Sequence, residues 1–276
     1  MVVPVQILDA DDPRVSVFRD VRERDVVGRG GFIAEGEVVL RALSRSRLHR
    51  AQAVLIDEKR AMSLASVIAA LGDDVEVYHA SRTVLDALTG FPIHRGILAH
   101  GLRAPIPTWS DLLMVCPEEA IVLALFGIAN HDNIGGIFRN AAAFGAHAVL
   151  LDGACCDPLY RKAIRVSVGA ALNVPFARLS ANEDPLGLLG DHGFTAFAFS
   201  PRGSMTLTSV ARPGRAAVLL GPEGPGLPDD ILRRAQAVAI PMADSFDSLN
   251  VAVTSGIALY AMTQPSQGVA DRPSEP

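Results

Sequence analysis

Lysine is nearly missing from this chain: of 25 basic residues only Lys59 and Lys162 are lysines, and the rest are arginines. Basic charge is also in deficit, 25 residues against 30 acids, leaving a formal charge of −5. Neither half makes up the shortfall, since residues 1–119 sum to −3 and residues 120–276 to −2. A domain-wide cationic field that gathers nucleic acid is therefore excluded. What cationic charge exists is guanidinium, the group suited to bidentate phosphate contacts. Cysteine is scarce and odd in number: Cys116, Cys155 and Cys156 form no disulfide framework and lack metal-ligand spacing. His94, His100, His131 and His147 have no carboxylate or thiol partner at ligand spacing, so no metal is expected. The longest uncharged stretch, Ser248 to Ala270, is broken by Asn250, Thr254, Gln264, Pro265 and Gln267. Its apolar part falls well short of the roughly 20 residues a membrane span needs. The first residues carry no basic lead and reach an acid by Asp9, so no secretory signal is expected and the protein reads as cytoplasmic.

Nearly half of the residues, 49%, are apolar, enough for a substantial core in one large domain or two modest ones. Short helical and strand-like signals alternate along the first half. Glu37 to Leu43 is a short amphipathic run, 52–57 reads as a strand, and Ala61 to Leu71 as a helix closed by Gly72. A strand at 75–80 follows, then a helix capped by Ser81 and ended by Gly90, then a strand from Gly96 to Ala99. The glycine-rich GRGGF at 28–32 reads as a flexible lead-in. RAPIPTWSD (103–111) has two prolines and no clear period, which puts a linker at 104–119.

The second half opens on an unbroken apolar strand at 120–128. A polar turn, ANHDN, and a helix from Ile134 to Phe144 come next, followed by a strand at 147–152. Helical patches at 159–166 and 184–190 precede strands at 194–199 and 216–220. A short helix after Pro228, a strand at 237–240 and a helix from Leu249 to Met262 complete the pattern. Apolar strands alternating with helices imply an α/β fold with a mainly parallel sheet, whose ligands sit at the strand carboxyl ends. Residues 265–276 read as a disordered tail.

Three loops at such ends carry chemical information. NIGGIFR (133–139) places Asn133 and Arg139 near the start of one helix, with Gly135 and Gly136 allowing close backbone approach. LLGPEGPGL (219–227) follows a strand directly and is a rigid turn with one acid, Glu223. It lacks the GK[ST] ending of a phosphate loop and the dinucleotide pattern G-x-G-x-x-G. In the third, 240–260, Ser248 stands where it can cap the last helix and Asn250 in its first turn, both able to bond a ligand or only the helix start. Val251, Ala258 and Leu259 read as core. No G-x-S-x-G elbow is present. Taken singly, each loop also fits an ordinary capped helix or turn.

Together and in order, N-x-G-x-x-x-R, L-G-x-E-G-x-G-L and I-P-M…S-L-N-V resemble the three motifs of the SpoU (TrmH) family of RNA 2′-O-ribose methyltransferases, in the SPOUT superfamily. The resemblance covers about 120–262. It implies a SPOUT-type α/β catalytic domain, 120–264, with a C-terminal trefoil knot. Knots are otherwise nearly absent from proteins. FIAEGEVVLRAL (32–43) and FPIHRGILAHGLR (91–103) are similar to the family's small L30e-like α/β substrate-binding domain, here 1–103.

The resemblance further implies S-adenosylmethionine as cofactor, surrounded by Leu220, Gly221, Glu223, Gly224, Gly226, Ile240, Met242, Leu249 and Asn250, with Phe199 and Ser200 as a further wall. Catalytic roles pass to Arg139, Asn133, Glu223, Ser248 and Asn250. The substrate is RNA, ribosomal before transfer RNA, and the working form a homodimer. Arg41, Arg45, Arg47 and Arg50, within ten residues free of acid, would join Arg139 in holding phosphates. Many members have Gly soon after I-P-M; here the sequence reads Ala243-Asp244-Ser245, which alters the charge of that loop. A non-catalytic RNA-binding protein of this fold, or a SPOUT enzyme methylating a base nitrogen, remain the rival readings.

Overall fold

The computed structural model describes residues 4–19, 30–90, 92, 93, 95–243 and 248–264. The first part of the chain forms β1 (Val5–Ile7), β2 (Gly31–Glu35), α1 (Glu37–Ser44), β3 (Arg50–Asp57), α2 (Ala61–Ala69), β4 (Glu76–Ala80), α3 (Arg82–Thr89) and β5 (Ile97–Leu102). Next come α4 (Trp109–Met114), β6 (Ala120–Leu125), α5 (His131–Ala143), β7 (Ala148–Leu151), α6 (Arg161–Val166) and β8 (Phe176–Arg178). The rest forms α7 (Pro185–Asp191), β9 (Thr195–Phe199), β10 (Met205–Thr206), β11 (Arg215–Leu220), α8 (Asp229–Arg234), β12 (Gln236–Ala239) and α9 (Val251–Thr263).

Two compact units divide these elements. The first comprises Met1–Ile106, Asn130–Ala142 and Cys156–Pro175, and the second Pro107–Ala129, Ala143–Cys155 and Phe176–Pro276. Two stretches from the later half of the chain, α5 and the α6 segment, thus pack with the first unit.

The first unit holds a mixed five-stranded sheet in the order β1-β4-β3-β5-β2. Its core gathers Ile7, Phe18, Leu55, Leu85 and Leu98, all at most 2% exposed. Local chemistry bounds the helices here. Ser81 Oγ accepts from the Val84 N–H at the start of α3, and Gly90 ends it with a left-handed φ of 73°. GRGGF is not a flexible lead-in in its described part: Gly31–Glu35 is a fully buried strand paired antiparallel to β5. Gly31 has a packing reason, since a Cβ there would lie 2.3 Å from His100 Nε2.

His49, 5% exposed, accepts the Ala104 N–H at Nδ1 over 3.2 Å and meets Phe32 edge-on. Burial, then the nearby Arg103 charge, holds its pKa down at about 4.

The second unit holds seven strands in the order β10-β12-β9-β11-β6-β7-β8, every pairing parallel. Parallel sheets need both faces covered, which is why β6 reads AIVLAL and is buried at all six positions. The expected linker contains structure. Thr108 and Asp111 form a capping box, and α4 starts at Trp109, which is wholly buried and donates from Nε1 to the Leu151 carbonyl. The polar turn ANHDN is likewise shorter than expected, because Asn130 Oδ1 caps the Asp132 N–H and α5 begins at His131. Short strands β1, β8 and β10 were not legible from alternation. The tail 265–276, His94 and the Asp244-Ser245 departure lie outside the described residues.

Candidate functional site

A cavity of about 450 Å³ opens in the second unit at the carboxyl ends of β9, β11 and β12. Such strand ends are where open α/β sheets hold ligands. Each strand delivers a different wall. β9 ends in Phe199 and Ser200; β11 runs into Leu220 and the turn Gly221 to Gly226; β12 leads to Ile240 and Met242. Ser248, Leu249, Asn250, Val251 and Thr254 close the side formed by the start of α9. All nine positions expected around a cofactor therefore line one cavity. Val238 and Thr254 join them without a motif to mark them; Val251, the last residue of the third motif and read as core, is both 6% exposed and part of the wall.

The turn after β11 is shaped by its glycines. A Cβ on Gly221 would sit 2.5 Å from both Gly226 C and Leu227 N, so the turn closes on itself only without a side chain there. Gly224 and Gly226 take φ of +90° and +73°. Gly226 N–H returns to the Pro222 carbonyl at 3.2 Å. The result is a rigid rim of backbone donors and acceptors around apolar side chains.

Glu223 and Asn250 join the second and third loops. Asn250 Nδ2 donates to Glu223 Oε1 at 2.9 Å, while its Oδ1 accepts from the Ala252 and Val253 N–H groups. Asn250, not Ser248, is thus the N-cap of α9. Ser248 instead lies on the cavity wall.

A support not visible in the motifs lies under this rim. Asp152 Oδ2 accepts from the Gly127 N–H at 2.9 Å, and its Oδ1 accepts from Ala154 and Cys155. A Cβ on Gly127 would be 3.4 Å from Pro222 Cγ, so this turn packs directly on the cavity loop. Cys155 Sγ bonds both the Ile128 N–H and the Leu125 carbonyl, and burial pushes its thiol pKa up, leaving it inert and neutral. Cys155 is therefore structural here rather than reactive.

Asn133 and Arg139 lie on α5, in the first unit. Asn133 is 8% exposed, whereas Arg139 faces solvent. Gly135 explains the small residue in this motif: a Cβ would meet the Ala163 carbonyl at 2.8 Å and Val166 Cβ at 2.7 Å, so α5 and α6 touch through it. Of the arginines at 41–50 all four are exposed, but Arg41 is already paired to Glu37 at 2.8 Å. The acid-free window therefore understated the local anionic charge. No group of three or more His, Cys, Asp or Glu side chains that could hold a metal occurs among the described residues. No helix among them is long and apolar enough to cross a membrane.

An α/β protein with a mixed apolar and backbone-polar cavity at the carboxyl ends of a parallel sheet has the arrangement of a small-molecule-binding α/β class. Comparison with known proteins narrows it. Residues 120–260 match the SpoU rRNA methylase family, and this chain belongs to that family. An uncharacterized tRNA/rRNA methyltransferase of Mycobacterium bovis is 37% identical over 269 residues, covering 94% of this chain and 91% of that one. A second, from Mycobacterium avium, is 29% identical over 262 residues, covering 93% and 82%. Among solved structures, the AdoMet-bound rRNA methyltransferase from Sinorhizobium meliloti shares the fold at TM-score 0.77 and 24% identity, over 94% of this chain and 97% of that one. An RNA 2′-O ribose methyltransferase superposes at TM-score 0.75 with 26% identity, over 94% and 98%.

Proposed function

We propose that the protein transfers a methyl group from S-adenosylmethionine to a ribose 2′-hydroxyl of structured RNA, ribosomal RNA in preference to transfer RNA. The observation that carries this reading is one cavity into which the second and third motifs, from the ends of β11 and β12, deliver their residues beside the end of β9. Its chemistry fits the cofactor. Leu220, Ile240, Met242 and Leu249 offer apolar walls for a flat base, and the Gly221–Gly226 turn offers backbone groups for its polar edge. A volume of about 450 Å³ is in the ordinary range for small-molecule sites. When bound, the cofactor supplies an electrophilic methyl on a sulfonium that leaves as a neutral thioether.

The chain's own groups then have defined tasks. Asn250 locks Glu223 across the two loops, so the carboxylate shapes the rim rather than acting as a free base. Arg139 cannot serve as base either, because guanidinium does not give up its proton in proteins. It binds the phosphate beside the target ribose and stabilises charge developing on the 2′-oxygen, the proton passing to that phosphate or to water. Asn133 orients Arg139 or the nucleotide. Most of the rate comes from alignment of the reacting atoms.

The remaining features of this reading are the C-terminal trefoil knot, an L30e-like RNA-binding domain at 1–103, a cytoplasmic setting and a homodimer. For the dimer the support is an apolar surface on α9, where Val253 is 51%, Ile257 37% and Tyr260 58% exposed. The test is labelled methyl transfer to total RNA from cells lacking the enzyme, with nuclease mapping of the product. A resistant 2′-O-methyl dinucleotide supports the proposal. A base-methylated product overturns the ribose assignment, and binding of RNA without transfer overturns the enzyme.

A further inference from the structure

The first unit contains a convergence of arginines that no sequence window brings together. Strands β2 and β3 both run antiparallel to β5, so the carboxyl ends of β2 and β3 meet the amino end of β5 at one edge. Three guanidinium side chains come from the three segments there: Arg41 from α1 after β2, Arg60 after β3, and Arg95 before β5.

Glu37 organises two of them. Its Oε1 accepts from Arg41 at 2.8 Å and its Oε2 from Arg60 at 2.8 Å, and the two charges hold the Glu37 pKa below its ordinary value. Arg60 also donates to the Arg95 carbonyl at 2.6 Å. One carboxylate is thus shared by two guanidinium groups, leaving a surplus positive charge that is already immobilised. Arg95 adds another, and its guanidinium has no hydrogen bond or ion pair among the described residues. Its side chain lies flat over Gly36, where a Cβ would be 2.6 Å from Arg95 Cδ. Gly96, with a left-handed φ of +61°, lies against Asp57 and Arg60, a hypothetical Cβ standing 3.1 Å from Asp57 Cβ and 3.4 Å from Arg60 Cδ. Nearby charges cancel only part of the surplus. Asp57, 8% exposed, accepts the Lys59 N–H and keeps its negative charge near Arg60, so the three guanidinium groups face the carboxylates of Glu37 and Asp57 and a surplus of one positive charge remains. All three arginines keep exposed surface, 45% of the Arg41 side chain and 34% of Arg60, and Arg95 is exposed.

We propose that Arg41, Arg60 and Arg95, braced by Glu37, form a clamp for RNA backbone phosphates. The proposal rests on the RNA reading above and replaces the linear Arg41–Arg50 cluster with a site built by the fold. Guanidinium forks match phosphate oxygens bidentately, and bracing removes much of the entropy that a free arginine loses on binding. Each phosphate neutralised by a cation contributes roughly 0.7 to 0.9 to the slope of log affinity against log salt.

The experiment measures binding of a labelled RNA hairpin to the full chain across a salt series, with S-adenosylmethionine affinity measured in parallel. Arg60→Ala and Arg95→Ala are each expected to weaken RNA binding several-fold and to reduce the salt slope by about 1, leaving cofactor affinity unchanged. Arg95→Ala removes no hydrogen bond of that side chain among the described residues, so it separates phosphate binding from fold maintenance. Arg82→Ala, whose guanidinium pairs with Asp86, is the comparison expected to leave the slope in place. Slopes equal to that of the unaltered protein in both Arg60 and Arg95 variants would overturn the clamp. An unaltered protein with no salt-dependent RNA binding would instead overturn the RNA reading itself.

Discussion

Gly221→Ala tests the cavity at its tightest point. The added methyl would stand 2.5 Å from Gly226 C and from Leu227 N, both backbone atoms of the same turn. Carbon contacts are comfortable at about 3.5–4.0 Å, so relief requires roughly 1 Å of backbone movement. No side-chain rotation can supply it. Overpacking of this kind costs about 1–3 kcal/mol. The displaced segment, Gly221 to Gly226, is itself the rim that would hold the cofactor. If the distortion falls on binding, each 1.4 kcal/mol is a tenfold loss, which places the expected weakening at about five- to 140-fold. The assay is calorimetric titration with S-adenosylmethionine beside thermal unfolding. Gly224→Ala provides the contrast. It has open space around its Cβ position and a φ of +90°, so only backbone strain opposes it. A smaller loss of about tenfold or less is expected there. A Gly221→Ala protein that binds the cofactor as tightly as the original, with an unchanged melting temperature, would refute the steric reasoning.

Other outcomes follow from groups already placed. Arg139→Ala should abolish methyl transfer while leaving cofactor affinity intact; joint loss would show that Arg139 supports the cofactor site instead. Asn250→Ala removes the N-cap of α9 and the partner of Glu223. It should lower stability by about 0.5–2 kcal/mol in urea unfolding. An effect confined to cofactor binding would contradict the capping role. His49 carries a pH dependence whose sign is fixed by its depressed pKa. Unfolded, it takes a proton near pH 6.5; folded, only at about 4. Between these values the unfolded chain holds more protons, so the contribution is complete above pH 6.5 and is lost as pH falls toward 4. At pH 5 the loss is about 2 kcal/mol. Urea unfolding at pH 5 and 7.5 should lose most of this difference in His49→Gln, and equal pH dependence in both proteins would refute it.

How much of this was legible in the sequence depended on whether the cause was local. The buried strand β6 and the helix bounded by Ser81 and Gly90 announce themselves, because burial on both faces and capping are written in consecutive residues. The nine cavity positions were legible as motifs, although only folding shows that the ends of β11 and β12 bring them to one cavity beside the end of β9. Non-local causes left no trace. Gly31 looked like slack in the chain, yet it is glycine because His100, 69 residues on, occupies the space of its side chain. Asp152 sits in no motif but holds Gly127, on which Pro222 rests. The same limit explains the arginines. A ten-residue window free of acid suggested four unpaired charges, whereas Glu37 lies one helical turn before Arg41 and is its partner. Arg60 and Arg95 reach that carboxylate's surroundings only through antiparallel pairing with β5. Charge in this acidic protein is therefore concentrated by topology, and a composition of −5 constrains the whole chain far more than any one edge of its sheet.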